Sequence, residues 1–185
     1  MRVSVFDDMS LCTEQEVNRM LPLVSDQRRE QALKFKFVFG RFACLKSYLM
    51  LSELTGLTEF GFTYNEYGKP SIAGHPEIHF SISHCQHAIA VAVSDSPVGI
   101  DVESFRKADD ALLHRTMNED EIRMVEASDC RERAFIELWT RKEAVFKLMG
   151  TGITDDILTV LSGNAETETS VNDALKYVVS TAVYL

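Results

Sequence analysis

Residues 2–6 (RVSVF) alternate polar and apolar positions, the two-residue period of a strand. Thr13 is placed to cap a short helix through Leu21, with Glu16 completing a capping box and Pro22 following. Ser25 or Asp26 then opens a long helical stretch, carried by Leu33, Phe37, Leu45 and Leu49 to about Leu54 and ended by Thr55-Gly56. Gly61 to Gly74 reads as loop, with a turn at Gly68-Lys69-Pro70. Three strands are predicted at 78–83, 88–94 and 98–103, the last two joined across Asp95-Ser96-Pro97. Beyond Lys107 the pattern turns helical near 109–115, 118–127 and 131–149, and Gly150 and Gly152 stop the last segment. Two closing strands are expected at about 157–161 and 175–184, around a polar turn rich in Gly, Asn, Thr and Glu. Each half thus pairs a long helix with a few strands. The expectation is an α+β fold of two similar, pseudo-twofold lobes, 1–85 and 86–185, each a small, mostly antiparallel sheet on a long helix.

Composition narrows the function more than the fold. A chain of 185 residues with 45% hydrophobic content suits an ordinary globular protein. No apolar run reaches membrane-spanning length, and the opening MRVSVFDDMS turns acidic at Asp7 and Asp8 with no signal-peptide core. A cytoplasmic protein with no membrane partner is expected. Cys12, Cys44, Cys85 and Cys130 are scattered with no CxxC pair, which suits reduced thiols. A formal charge of -9 disfavours general nucleic-acid binding, which needs a basic surface. It leaves room for a local basic pocket, since Arg28, Arg29, Lys34, Lys36, Arg41 and Lys46 cluster in one stretch.

The acidic strand VGIDVE (98–103) carries the first candidate chemistry. Alternation sends Ile100 and Val102 to one face and Asp101 and Glu103 to the other, with their Cα atoms roughly 7 Å apart. Two carboxylates so placed repel, and a shared cation relieves them; a solvated acidic face is the other reading. On WTRKEAVFK (139–147), Glu143 lies four residues from both Trp139 and Lys147, so the three share a stripe beside an apolar face. Glu143 is placed to be a third metal ligand and Lys147 to meet a phosphate; a simple Glu-to-Lys helix pair is the alternative. In FSISHC (80–85), Ser83 and His84 point apart on a strand and form no dyad with each other, and no G-x-S-x-G elbow occurs. Both can donate to an anion. His75, His79, His84, Cys85 and His87 match no common zinc spacing. Lys69, in the turn NEYGKP, is a flexible point charge suited to phosphate if it overhangs a pocket.

Together, GKP (68–70), Ser83-His84, GIDVE (99–103) and WTRKEAVFK (139–147) resemble the 4′-phosphopantetheinyl transferases of the single-chain, two-lobed type, across residues 20 to 150. The resemblance implies Mg²⁺-dependent transfer of the phosphopantetheine arm of coenzyme A to a serine of an apo acyl or peptidyl carrier protein, releasing adenosine 3′,5′-bisphosphate. It implies Asp101, Glu103 and Glu143 as metal ligands, and Lys69, Ser83, His84 and Lys147 as contacts to the nucleotide and its phosphates. Glu143, directly or through a water, is the candidate base, with Lys147 beside it in the catalytic set. For the basic residues that the family sets against the 3′-phosphate, Arg41 and Lys46 both qualify in an ambiguous register, with Arg28 and Arg29 as further candidates. The segment after Lys147 is short for this type and leaves the carrier-docking surface unplaced. A monomer would suffice. The competing readings are a non-catalytic coenzyme A or nucleotide-binding protein on the same fold and a metal-dependent phosphoesterase.

Overall fold

Two long helices each lie against a three-stranded antiparallel sheet, and the sheets meet where their edge strands adjoin. The computed structural model describes residues 1–185, the side chain of Asp155 excepted. The first sheet has the order β1-β5-β4, from β1 (Arg2–Phe6), β4 (His79–His84) and β5 (Ile89–Ser94). It packs on α3 (Val38–Thr55). The second has the order β6-β8-β7, from β6 (Val98–Ser104), β7 (Ala165–Asn172) and β8 (Tyr177–Tyr184), and packs on α6 (Arg131–Met149). Helices α1 (Glu14–Met20) and α2 (Asp26–Leu33) precede α3, whereas α4 (Asp110–Thr116) and α5 (Glu119–Ala127) precede α6. A small hairpin, β2 (Phe62–Tyr64) with β3 (Pro70–Ile72), occupies part of the segment expected to be loop.

The α+β expectation and most elements hold, and three local readings need correction. The long helix expected from 25 to 54 is broken at 34–37, and Phe37 is extended at φ -99°. Leu33 and Phe37, expected to carry its apolar stripe, are 57% and 72% exposed. The break lets the Phe35 ring fold onto Gly40, where a Cβ would stand 2.8 Å from Phe35 Cδ1. It also brings α2 back along α3, so that Arg28 donates to the Cys44 carbonyl and Ser47 Oγ. At the other end, the strand expected at 157–161 falls in short 3₁₀ turns, and the polar segment read as a turn contains β7. β7 pairs with β8 alone, so it is an edge strand; Thr167 and Thr169 are half-buried while Glu166 and Glu168 face water. β5 pairs with β4 across a tight hairpin and belongs to the first sheet.

The first sheet and α3 enclose one apolar core, with Phe42, Leu45, Tyr48 and Leu51 of α3 fully buried against Ile89 and Val91. Buried apolar area is the main source of stability in such a layer. In the second half, Phe135, Ile136, Ala144 and Phe146 of α6 are buried to within 2%. Among the described residues, no helix is long and apolar enough to cross a membrane.

Candidate active site

The site is built where β6 crosses α6. At Gly99, a Cβ would lie 1.8 Å from the Ala144 carbonyl oxygen. Only a residue without a side chain lets the strand rest on the helix backbone here. That close approach sets the next strand positions beside Glu143 and Lys147. From the other side, the hydroxyls of β4 reach β6: Ile100 N–H donates to Ser81 Oγ at 3.1 Å, and Ser83 Oγ donates to Asp101 Oδ1 at 2.7 Å. Ser81 and Ser83 are two apart on one strand and so share this face.

Asp101 is only 3% exposed. Its Oδ1 also accepts from Lys147 Nζ at 2.7 Å, and Lys147 Nζ donates in addition to Ser83 Oγ at 2.8 Å. Residues 83, 101 and 147, from two strands and a helix, thus form one closed hydrogen-bonded triangle. Asp101 Oδ2 is buried with no partner. Buried carboxylate oxygens are normally satisfied, and an orphan of this kind calls for an explanation. Glu103 and Glu143, both partly buried, lie within electrostatic range of Asp101. Burial first, and then the Asp101 charge, raise the pKa of Glu103. The same two causes push Glu143 up to about 7, with Lys147 acting in the opposite direction. Desolvation and like charges both disfavour the ionised form, and this cluster has both. Among the described residues, no three His, Cys, Asp or Glu side chains meet as a ready-made metal cage. The cation seated on Asp101 in the structure is Lys147.

Lys69 leaves the turn before β3 and donates to the Leu148 carbonyl at 3.0 Å, while Asn65 Nδ2 donates to the Gly150 carbonyl. Burial lowers the Lys69 pKa. These contacts hold the β2–β3 turn over the C-terminal end of α6. Between them and β4 lies a cavity of about 300 Å³, lined by Lys69, Phe80, Ile82, Glu143, Phe146 and Lys147 among others. Lys69, Glu143 and Lys147 therefore face one space. His84 points away from Ser83, as the strand alternation requires, and sets its ring edge-on to Phe39 at 5.6 Å. The residue is exposed at the strand end, yet its ring is crowded; desolvation first, then the Lys147 charge, lower its pKa.

The basic residues of α2 and α3 divide. Arg41 pairs with Glu14 at 2.6 Å, and Lys46 lies over the Phe6 ring at 4.2 Å; neither bonds to the Asp101 cluster. Arg29 pairs with Asp26 and donates to the Leu21 carbonyl. The charge of Arg28, by contrast, reaches His84. His75 pairs with Glu77, and Cys85 is buried in the apolar cluster around β6, so the His/Cys-rich segment is dispersed.

One residue of this region carried no assignment from the sequence. Lys142, adjacent to Glu143, is fully buried, and its Nζ donates to Glu121 Oε2 at 2.7 Å, the Thr116 carbonyl at 2.9 Å and the Ile157 carbonyl at 2.6 Å. It ties α6 to α4, to α5 and to the turn beyond Gly152 and Ile153, which also line the cavity. A signal was present: Lys142 occupies the same helix face as Leu138 and Val145, a position where a charge demands buried partners.

Comparison with known proteins agrees with this geometry. Residues 97–177, which span β6 through α6 and into β8, match the family model of the 4′-phosphopantetheinyl transferase superfamily. The chain is 30% identical over 146 residues to the 4′-phosphopantetheinyl transferase psf-1 of Bacillus pumilus, covering 75% of this chain and 63% of that protein. It is 31% identical over 164 residues to a 4′-phosphopantetheinyl transferase of Bacillus subtilis, covering 80% of this chain and 70% of that protein. It is 35% identical over 92 residues to the transferase AcpT of Salmonella typhimurium, covering 47% of this chain and 48% of that protein. The chain thus spans less than two thirds of the length of the Bacillus pumilus relative. With site segments, family model and relatives in agreement, the chain belongs to the 4′-phosphopantetheinyl transferase superfamily.

Proposed function

We propose that this protein transfers the 4′-phosphopantetheine moiety of coenzyme A to a serine hydroxyl of an apo acyl or peptidyl carrier protein, with Mg²⁺, releasing adenosine 3′,5′-bisphosphate. The observation that carries this reading is the Lys147–Ser83–Asp101 triangle beside Glu143, at the wall of a cavity that Lys69 also lines. It unites carboxylates and ammonium groups from three segments with a hydroxyl from a fourth.

The donor set fits a hard divalent ion. Asp101, Glu103 and Glu143 offer only oxygen, the orphaned Asp101 Oδ2 lacks a partner, and the Asp101 charge adds to burial in raising the pKa of both glutamates. These three residues would hold Mg²⁺. Bound there, the ion would neutralise charge spread over the reacting phosphate oxygens. Lys147 and Lys69 supply further positive charge to the phosphates, with His84 and the basic candidates Arg41, Lys46, Arg28 and Arg29 at the nucleotide end. In the transfer, the carrier serine oxygen forms the new bond to phosphorus as the bond to the bridging oxygen breaks. Glu143 takes the serine proton, directly or through a water.

The two-lobed arrangement belongs to this reading. β1 and β6 each lead through three helices to a hairpin whose second strand returns to pair with the opening strand, giving the same order in both sheets. The lobes would divide near 95–97, with the site at their junction, in a protein that acts as a cytoplasmic monomer.

Incubation with coenzyme A, Mg²⁺ and an apo carrier, read by intact mass of the carrier, tests the proposal. Gain of one phosphopantetheine is expected, and Asp101→Ala should abolish it in a folded protein. Tight coenzyme A binding without mass gain would instead favour a binding protein, and coenzyme hydrolysis without carrier a phosphoesterase.

A further inference from the structure

We propose that Lys147 is the resident cation of the ligand-free site, and that it yields Asp101 to a divalent ion only as a phosphate engages its ammonium, so that metal and coenzyme bind interdependently. The inference rests on the proposed function and goes further, to the way in which the site is loaded.

Three observations carry it. Asp101 has one ion-pair partner among the described residues, Lys147 at 2.7 Å. The same Asp101 oxygen already accepts from Ser83, while Oδ2 accepts from nothing. The carboxylate is therefore bound on one oxygen and bare on the other, half of what a bridging ion would satisfy. Finally, the Lys147 side chain keeps 31% of its exposure against 5% for Asp101, and Lys147 lines the cavity whereas Asp101 is not among the lining residues. An ion approaching from the cavity meets Lys147 before it meets the Asp101 oxygens.

Lysine suits this role. Its ammonium is a point charge on a flexible stem with three donors. Two of them are used, on Ser83 and Asp101, and the third has no acceptor among the described residues. A phosphate in the adjoining cavity would meet that free donor and draw the ammonium off Asp101. Without a phosphate, a divalent ion must either displace Lys147 into a site with no new anion or sit beside a like charge; both weaken its binding. With a phosphate, the repulsion becomes a three-way neutralisation. Linkage then requires that coenzyme tighten the metal by the same factor as metal tightens coenzyme.

Calorimetric titration of Mg²⁺ into the protein, with and without saturating coenzyme A and corrected for Mg²⁺ binding to free coenzyme, tests the inference. In the wild type, coenzyme should tighten Mg²⁺ by about tenfold or more, within the usual range of coupling between sites. In Lys147→Gln, Mg²⁺ alone should bind roughly fivefold tighter than in the wild type, and most of the coupling should vanish. If Lys147 is merely a phosphate ligand, Lys147→Gln weakens coenzyme but leaves the affinity for Mg²⁺ alone unchanged, and the inference fails. A wild type whose Mg²⁺ affinity ignores coenzyme overturns it too, and that measurement needs no variant. Failure of the transferase reading is separately visible, as intact cation–coenzyme coupling with no mass gain on any carrier.

Discussion

Gly99 and Ala144 touch backbone to backbone: a methyl group on Gly99 would fall 1.8 Å from the Ala144 carbonyl oxygen and 2.6 Å from the Leu148 amide nitrogen. Neither atom can move without bending α6. Gly99→Ala must therefore push β6 outward and carry Asp101 away from Lys147. The expected cost is about 3 kcal/mol, at the upper end for overpacking, read as a lowered urea midpoint. Transfer should fall further than the population of folded protein, because the triangle opens even where the fold survives. A variant with unaltered midpoint and full transfer would contradict the packing described.

Glu143 gives the site a pH signature. Its folded pKa of about 7 lies above the ordinary glutamate value of 4.5. A raised carboxylate pKa means that stability is complete below 4.5 and is lost as pH rises through 7. In the presence of a chelator, Glu143→Gln should therefore melt at a higher temperature than the wild type at pH 8, with the difference gone at pH 4. Mg²⁺ in place of chelator should reverse the order at pH 8. Equal melting temperatures throughout would show that Glu143 is not held against its own charge.

His84 predicts the opposite slope. Burial and Lys147 hold its pKa below the ordinary value. Its contribution to stability is present above 6.5 and is lost as pH falls through the lowered folded value. Acidification from pH 7.5 to 5 should destabilise the wild type more than His84→Gln. The same variant should bind coenzyme A more weakly at pH 7.5, and unchanged affinity would remove His84 from the ligand site.

The buried Lys142–Glu121 pair calls for a double-mutant cycle. Lys142→Met strands the Glu121 charge and should cost about 3–5 kcal/mol. Adding Glu121→Leu should recover much of that loss, because a well-packed apolar pair tolerates burial better than a lone charge. Additive effects of the two substitutions would mean that the pair does not act as a unit.

What could be read in advance follows a physical division. Helices α4, α5 and α6 and strands β4, β5 and β6 announce themselves through period and caps, and Asn118 and Glu121 form the full capping box at the start of α5. β7 does not, because AETETSVN lacks the apolar alternation of a core strand. At a sheet edge, half-buried threonines suffice. The break before α3 was hidden because the apolar residues of KFKF fit a helical stripe on paper, while in space they face solvent or fold onto Gly40. In the site, the spacing of Glu143 and Lys147 was legible because one helix contains both. The bond from Lys147 to Asp101 was not, since it joins positions 46 residues apart whose meeting depends on the missing Gly99 side chain. The fold-back of α2 was hidden for a similar reason: Arg28 meets Cys44 only because α2 returns beside α3, and Lys46 turns onto Phe6.

The two bonds that hold the β2–β3 turn on α6 have a temporal consequence. Lys69 to Leu148 closes a loop of 79 positions, and Asn65 to Gly150 one of 85. Such long-range closures are slow steps on a folding pathway. During synthesis, the first sheet and α3 can form while α6 is still unmade, so the cavity wall exists for a time without its floor. The cavity is thus completed late in the life of each chain, only after Gly150 has been added and docked.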